Sequence, residues 1–548
     1  MAVTSASPDE SADLQLESRS LMKPRTVVTA FCMLAALAQT GEAKSPEAAT
    51  PQYGAADFVP TPQSPANFRG DPRGGYPGAT IPTSFSAQKN LRWKAEPGRG
   101  CGAVVVVGDR LYVQAAPNAL VCLDAATGSE LWRRTHHAEG LDPSSLEAVF
   151  DGQMDRLGEY HRIAQRWAKL PGDERGELQA ELDKVAAGFT APWNEAGRHG
   201  PRLLQEIRGA EIGGYGNGGA YLICTTPVSD GQRIVARFPT GIVVGYDLTG
   251  KRLWSARTRL DLPQPDSFKG KASGWPPKPG QSACPLLTPE GIVIVTMRHV
   301  ALGLDAATGK ERWRVVERNI HETYASPVLG RIAGESFVAT GDGAILRARD
   351  GLLLHTDPHG TGAPTSPVFA DGVFYWVTHA VRVTPGPAPT AKVVWDWTLD
   401  QLKEACGWYP YNTPRLNCNL DMPSPVLVDG KIIYFGQSWK GKMGVIDAKT
   451  GAILSNAPYP RPKFDLPGGL GKGIGKNWPY SGMTRMGDKL VVAQDNGLVY
   501  IFPISDTFAP AMACGIPDDL FAHPVAHGKR LYLRSHDALW CFEQEPRQ

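Results

Sequence analysis

From about residue 101 onward the chain alternates short apolar runs with tight polar turns, a pattern of strands rather than of helices. One turn recurs. Leu123-Asp124-Ala125-Ala126-Thr127-Gly128 is followed by Trp132, and Leu304-Asp305-Ala306-Ala307-Thr308-Gly309 by Trp313. Asp247-Leu248-Thr249-Gly250 with Trp254 is one residue shorter. Asp447-Ala448-Lys449-Thr450-Gly451 has Ser455 in the Trp position, and a worn copy, Asp350-Gly351, has His355 there. An Asp that accepts hydrogen bonds from its own turn, and a Gly at positive φ, make a tight hairpin. The Trp is a large apolar plate suited to packing between neighbouring sheets. Trp132, Trp254 and Trp313 are therefore expected to be structural anchors, with Asp124, Gly128, Asp305 and Gly309 shaping the turns.

A second element precedes each hairpin: a residue, then Pro, an apolar pair, a Gly turn and an alternating strand. It starts at Thr226-Pro227, Cys284-Pro285, Ser326-Pro327, Ser366-Pro367, Ser424-Pro425 and His523-Pro524. Val104–Gly108 and Met483–Gly487 fill positions without Pro. Pro at the first residue of a strand costs no ladder bond. Each unit holds about four short antiparallel strands, and a four-stranded unit repeated every 40–60 residues or so is a propeller blade. Starts near 101, 217, 281, 324, 364, 421, 480 and 520 predict an all-β, eight-bladed β-propeller, with seven blades as the alternative. The last unit ends one strand short, and Asn90-Leu91-Arg92-Trp93-Lys94 reads as the missing Trp-bearing strand. Pairing of the two ends would close the ring and remove a sheet edge. Residues 142–190 break the rhythm: Leu146, Phe150, Met154, Leu157, Ala164 and Trp167, then Leu178, Leu182, Val185 and Phe189, follow helical spacing around Pro171-Gly172. They predict an inserted helical hairpin.

Composition agrees. Gly (60) and Pro (46) make up about a fifth of the 548 residues, which disfavours a helical bundle. With 42% hydrophobic and 20% charged residues, the chain is not a disordered one. The 57 basic residues against 55 acidic ones offer no global reason to expect nucleic acid.

The beginning of the chain reads as an address. Met22-Lys23-Pro24-Arg25 precedes an apolar run, Thr26 to Ala38, with small residues after it, as in a secretory signal peptide over 22–43. Residues 1–21 are polar and acidic, leaving Met22 as an alternative start. Cys32 follows Phe31 inside the run, the wrong place for a lipid-modified Cys. Residues 44–80, rich in Pro, Ala, Gly and Ser, read as a disordered or loosely wrapped linker before a propeller over 81–548. The protein is expected to be exported, periplasmic or extracellular, and monomeric, with no membrane span. In that setting Cys406 and Cys418, in one loop, are the suspected disulfide pair, while Cys122 and Cys541 read as buried thiols.

The repeated Asp-Ala-x-Thr-Gly-x-x-x-Trp segments, closest at 123–132 and 304–313, resemble those of the PQQ-like (quinoprotein alcohol dehydrogenase-like) β-propeller family. The resemblance runs from about residue 65 to the end and includes Phe68-Arg69-Gly70, similar to an FRG segment of exported members. It implies the propeller fold. The family spans quinoprotein dehydrogenases, which hold PQQ and Ca²⁺ in the central channel, and the assembly factor BamB, so the motif does not choose a function.

Chemistry is sparse. There is no vicinal Cys-Cys pair and no Cys-x-x-Cys-His. Gly468–Asn477 lacks the spacing and the Ser or Thr of a phosphate loop. His321-Glu322-Thr323-Tyr324 has no second His at zinc-helix spacing, and His136-His137 reads as an exposed pair. No catalytic or metal residue is singled out. A ligand site, if present, is expected at the channel mouth, at Asn217, Gln281, His321, Tyr324, Asn419, Asp421, Tyr480 and His523. These expectations favour a non-catalytic exported scaffold that binds protein or polymer and needs no cofactor. The alternative is a PQQ- and calcium-dependent oxidoreductase of alcohols or sugars. A carbohydrate-binding rim would draw on Trp408, Tyr409, Tyr411, Trp439 and Trp478.

Overall fold

A computed structural model describes the chain from residue 51 to 544 except for 116–118, 137–175 (of which 159, 163 and 166 are described), 188–224, 239–241, 259–282, 298–299, 318–319, 321–324, 358–364, 407–423, 436–441, 459–481 and 506–511. Its strands form eight antiparallel four-stranded sheets arranged as the blades of a propeller. In chain order the innermost strands are Val105–Val107, Val228–Ser229, Leu286–Leu287, Val328–Ile332, Val368–Ala370, Val426–Val428, Met483–Met486 and Val525–His527, and they number the blades 1 to 8. Six of these strands begin directly after the Pro residues noted above. The eighth blade is completed by Leu91–Ala95, antiparallel to Leu539–Glu543, with Trp93 opposite Cys541. The ring therefore closes as its sequence predicts.

Burial runs radially. Middle strands are buried on both faces because each face meets a neighbouring blade; Ala119–Asp124 is an example, while the outermost strand of that blade, Glu130–Thr135, is half-exposed. The core is a series of apolar clusters between successive sheets, such as Tyr112, Leu120 and Cys122 against Ile234, Ala236 and Val244. One continuous cluster spans blades 7, 8 and 1 and seals the closure.

The Asp-Gly turns and the Trp residues meet across blade boundaries. The Trp of one blade lies on the turn Gly of the next: Trp93 on Gly128, Trp132 on Gly250, Trp254 on Gly309, Trp313 on Gly351 and Trp395 on Gly451. Gly309 has a φ of +70°, and a Cβ there would come within 2.5 Å of the Trp254 ring, so only Gly serves. Each indole N–H then donates to a turn carbonyl: Trp93 to Ala125 (3.2 Å), Trp254 to Ala306 (2.8 Å), Trp313 to Ala348 (2.9 Å) and Trp395 to Ala448 (2.9 Å). Trp132 is the exception, with a buried, unpartnered Nε1. Its acceptor turn is the one-residue-shorter copy, whose Leu248 carbonyl instead takes Arg110 Nη1 (2.6 Å) and Tyr112 Oη (3.0 Å).

Two helices are described. Gly176–Ala187 lies in the predicted insertion and buries Leu178 and Val185; most of the remainder of 142–190 lies outside the described residues. Leu399–Cys406 was not anticipated. A reciprocal capping box starts it: Gln401 N–H donates to Thr398 Oγ1, and Thr398 N–H to Gln401 Oε1. Leu402 anchors it among Trp395, Trp397 and Tyr434.

Candidate functional site

The channel is framed by the innermost strands, and the residue before each Pro begins its wall. These residues form a relay. Ala103 N–H donates to Thr226 Oγ1, Thr226 N–H to Cys284 Sγ, Cys284 N–H to Ser326 Oγ, Ser326 N–H to Ser366 Oγ and Ser366 N–H to Ser424 Oγ. Blades 2 to 6 thus each satisfy the amide of the blade before them. A short acceptor side chain next to Pro is what this geometry needs, which explains Thr, Cys and Ser there. In blade 7 the equivalent residue is Gly482, which offers no side chain.

The channel side of the inner strands is occupied by the chain's own N-terminal segment. Residues 51–80, read from composition as a linker, are held at one register position on the inner strands, two residues after the Pro. Ala66 exchanges both backbone bonds with Ser229, and the Asn67 amide bonds both backbone groups of Leu287. The amides of Phe369, Leu427 and Arg485 donate to the carbonyls of Pro72, Arg73 and Gly74. Gly75–Tyr76 adds a parallel fifth strand to blade 7. Val106, Leu329 and Ala526, at the same register position, line cavities beside the segment, and Thr80 and Gly54 bond Gly528 at the turn of blade 8. A segment paired with one blade after another has no periodicity of its own, which is why composition reads it as loose.

Phe68-Arg69-Gly70 forms the tip of this plug. Arg69 sits at a left-handed φ of 62°, an unfavourable conformation for a non-Gly residue. It is 3% exposed, and its Nη2 faces the carbonyls of Gly74, Ser424, Pro425 (2.8 Å) and Met483. The guanidinium thus bridges carbonyls of the plug and of blades 6 and 7. Burial pulls its pKa down to about 10. The Phe68 ring meets His523 edge-on, with centroids 4.7 Å apart. Burial, then the Arg69 charge, push His523 down to about 3, so it is neutral at physiological pH.

Of the residues expected at the channel mouth, His523 is in the wall. Asn217, Gln281, His321, Tyr324, Asn419, Asp421 and Tyr480 lie outside the described residues, as do the five candidate rim aromatics and Cys418. Cys122 and Cys541 are free and buried, and burial raises their thiols to about 11 and about 12. Cys101, which carries no expectation from sequence, is disulfide-bonded. His136 is not exposed as expected: it is buried against Phe238, with a ring nitrogen 2.8 Å from Tyr246 Oη. The sequence did not reveal Arg69 as a channel residue, although the FRG segment marked the place.

The described wall offers hydroxyls, a thiol and carbonyls, and the plug brings a guanidinium, Arg69, and a carboxylate, Asp71. Among the described residues no three His, Cys, Asp or Glu side chains group as a metal site.

A family model described as outer membrane protein assembly factor BamB matches residues 79–153 and 241–464, over half of the chain. Among curated proteins, polyvinylalcohol dehydrogenase of Sphingopyxis sp. (strain 113P3) is 29% identical over 204 residues, covering 35% of this chain and 27% of that protein. The glycerol dehydrogenase large subunit of Gluconobacter oxydans (strain 621H) is 26% identical over 275 residues, covering 42% and 33%. The chain thus spans about a third of the length of these relatives. The crystal structure of BamB from Moraxella catarrhalis aligns with a TM-score of 0.37 at 15% identity, over 58% of this chain and 81% of that one.

Proposed function

The chain belongs to the PQQ-like β-propeller family, and from that premise we propose that it is an exported, non-catalytic scaffold binding protein partners, or an extracellular polymer, through its outer faces. The observation that carries this reading is the plug. The channel, where a propeller of this family would hold a small cofactor, is occupied by the protein's own residues 66–76, bonded to the inner strands. Rigid blades with variable connections suit a binding surface. Among the described residues no helix is long and apolar enough to cross a membrane.

A second reading has one observation behind it: the curated relatives are named dehydrogenases. It would make this a PQQ- and calcium-dependent oxidoreductase. The two separate in one experiment. PQQ and Ca²⁺ are added to the purified protein, and absorbance and dye reduction are followed with polyvinyl alcohol and small alcohols as substrates. The scaffold reading expects neither stoichiometric quinone uptake nor turnover. A one-to-one quinone spectrum with dye reduction overturns it.

A further inference from the structure

We propose that a small monovalent anion, of the size of chloride, binds in the channel between blades 7 and 8, held by Arg69 Nε, Thr484 Oγ1 and His523 Nε2. All three atoms are buried without a hydrogen-bond partner, on side chains whose residues are 3%, 0% and 4% exposed. Two neighbouring contacts draw them towards one another. Arg69 Nη2 bonds the carbonyl of Met483, the residue before Thr484, and Phe68, beside Arg69, packs on His523.

Three orphaned groups in so small a region each forfeit the free energy of a hydrogen bond, which native interiors avoid. All three can donate at once. The guanidinium Nε always carries a proton, the Thr hydroxyl rotates, and a neutral imidazole has a tautomer with its proton on Nε2. Charge selects an anion over water. Arg69 is a buried cation surrounded by carbonyls. Asp71, the carboxylate whose charge reaches it, is turned to the amides of Arg73 and Gly75. A water would satisfy the donors and leave the buried charge offset only by Asp71 at a distance; an anion satisfies the donors and offsets the charge directly. Sulfate or phosphate would bring more charge and more oxygens than one guanidinium and two neutral donors can match. The site is a property of the plug and stands apart from whatever the outer faces bind.

The test uses the whole mature protein. Crystals grown without halide are soaked in sodium bromide, and data are collected at the bromine absorption edge. One anomalous peak within hydrogen-bond distance of Arg69 Nε and Thr484 Oγ1 is the expected result. Density without anomalous signal identifies a water and overturns the proposal. In solution, bromide replaces gluconate at constant ionic strength while the Tm is followed. A saturable rise is expected, and Thr484→Val, which keeps the shape of the side chain, should weaken the apparent affinity roughly tenfold or more. A Tm indifferent to anion identity, or an unchanged bromide dependence or peak in Thr484→Val, refutes it.

Discussion

The Asp of each turn shows how a single side chain sets local stability. Asp305 Oδ1 accepts from the amides of Ala307 (3.0 Å) and Thr308 (2.8 Å) and from Thr308 Oγ1 (2.9 Å), while Oδ2 pairs with Arg312. Those partners, Arg312 foremost, hold its carboxyl down at about 2. The ordinary value is about 3.9, so the charged form contributes stability above that pH and the contribution fades as pH falls through about 2. Asp305→Asn keeps an acceptor but loses the charge. It is expected to lower the Tm slightly at pH 6, by the order of 1 °C given its exposure to solvent, and to match the parent near pH 2. A difference that persists undiminished at pH 2 would count against the charge as cause. The Asp, Gly and Trp of this motif were legible in sequence because they recur. Their true pairing was not, because the Trp finds its Gly in the following blade. Likewise the loss of one residue at 247–250 was visible, but not that it strands the Trp132 indole.

At the scale of elements, the residue before each Pro links one blade to the next. Ser366 Oγ takes the amide of Ser326 at 2.8 Å and is 1% exposed. Ser366→Ala leaves that buried amide unsatisfied and should cost about 1–3 kcal/mol in chemical denaturation. Ser366→Thr or Ser366→Cys should recover most of it, since blades 2 and 3 already use Thr226 and Cys284 in this role. Equal losses for Ala and Thr would show that packing, not the acceptor, matters. The Pro residues announced the start of each inner strand through their fixed φ and missing donor. Their short polar neighbours carried no visible signal, since Ser and Thr before Pro are ordinary in loops. The helix at 399–406 was missed for a similar reason: its eight residues are too few to show a period, although its capping box was readable.

For the whole molecule, the blade count and the closing strand followed from the repeat, while the contents of the channel did not, because an extended segment takes its order from its partners. Removing residues 51–80 should therefore expose the amides of Leu287, Phe369, Leu427 and Arg485. Their hydrogen-exchange protection is expected to fall at least about a hundredfold, with a lower Tm. Unchanged protection at these four amides would show that the plug is dispensable. The seam at Leu91–Ala95 carries a further consequence, one of timing. The strand that closes the ring is made long before its partner Leu539–Glu543. Until that partner emerges, the growing chain carries two open sheet edges and an uncovered Trp93. A polypeptide halted anywhere before residue 539 is thus a substrate for proteases and aggregation rather than a smaller propeller. The ring thus proofreads synthesis up to its own seam.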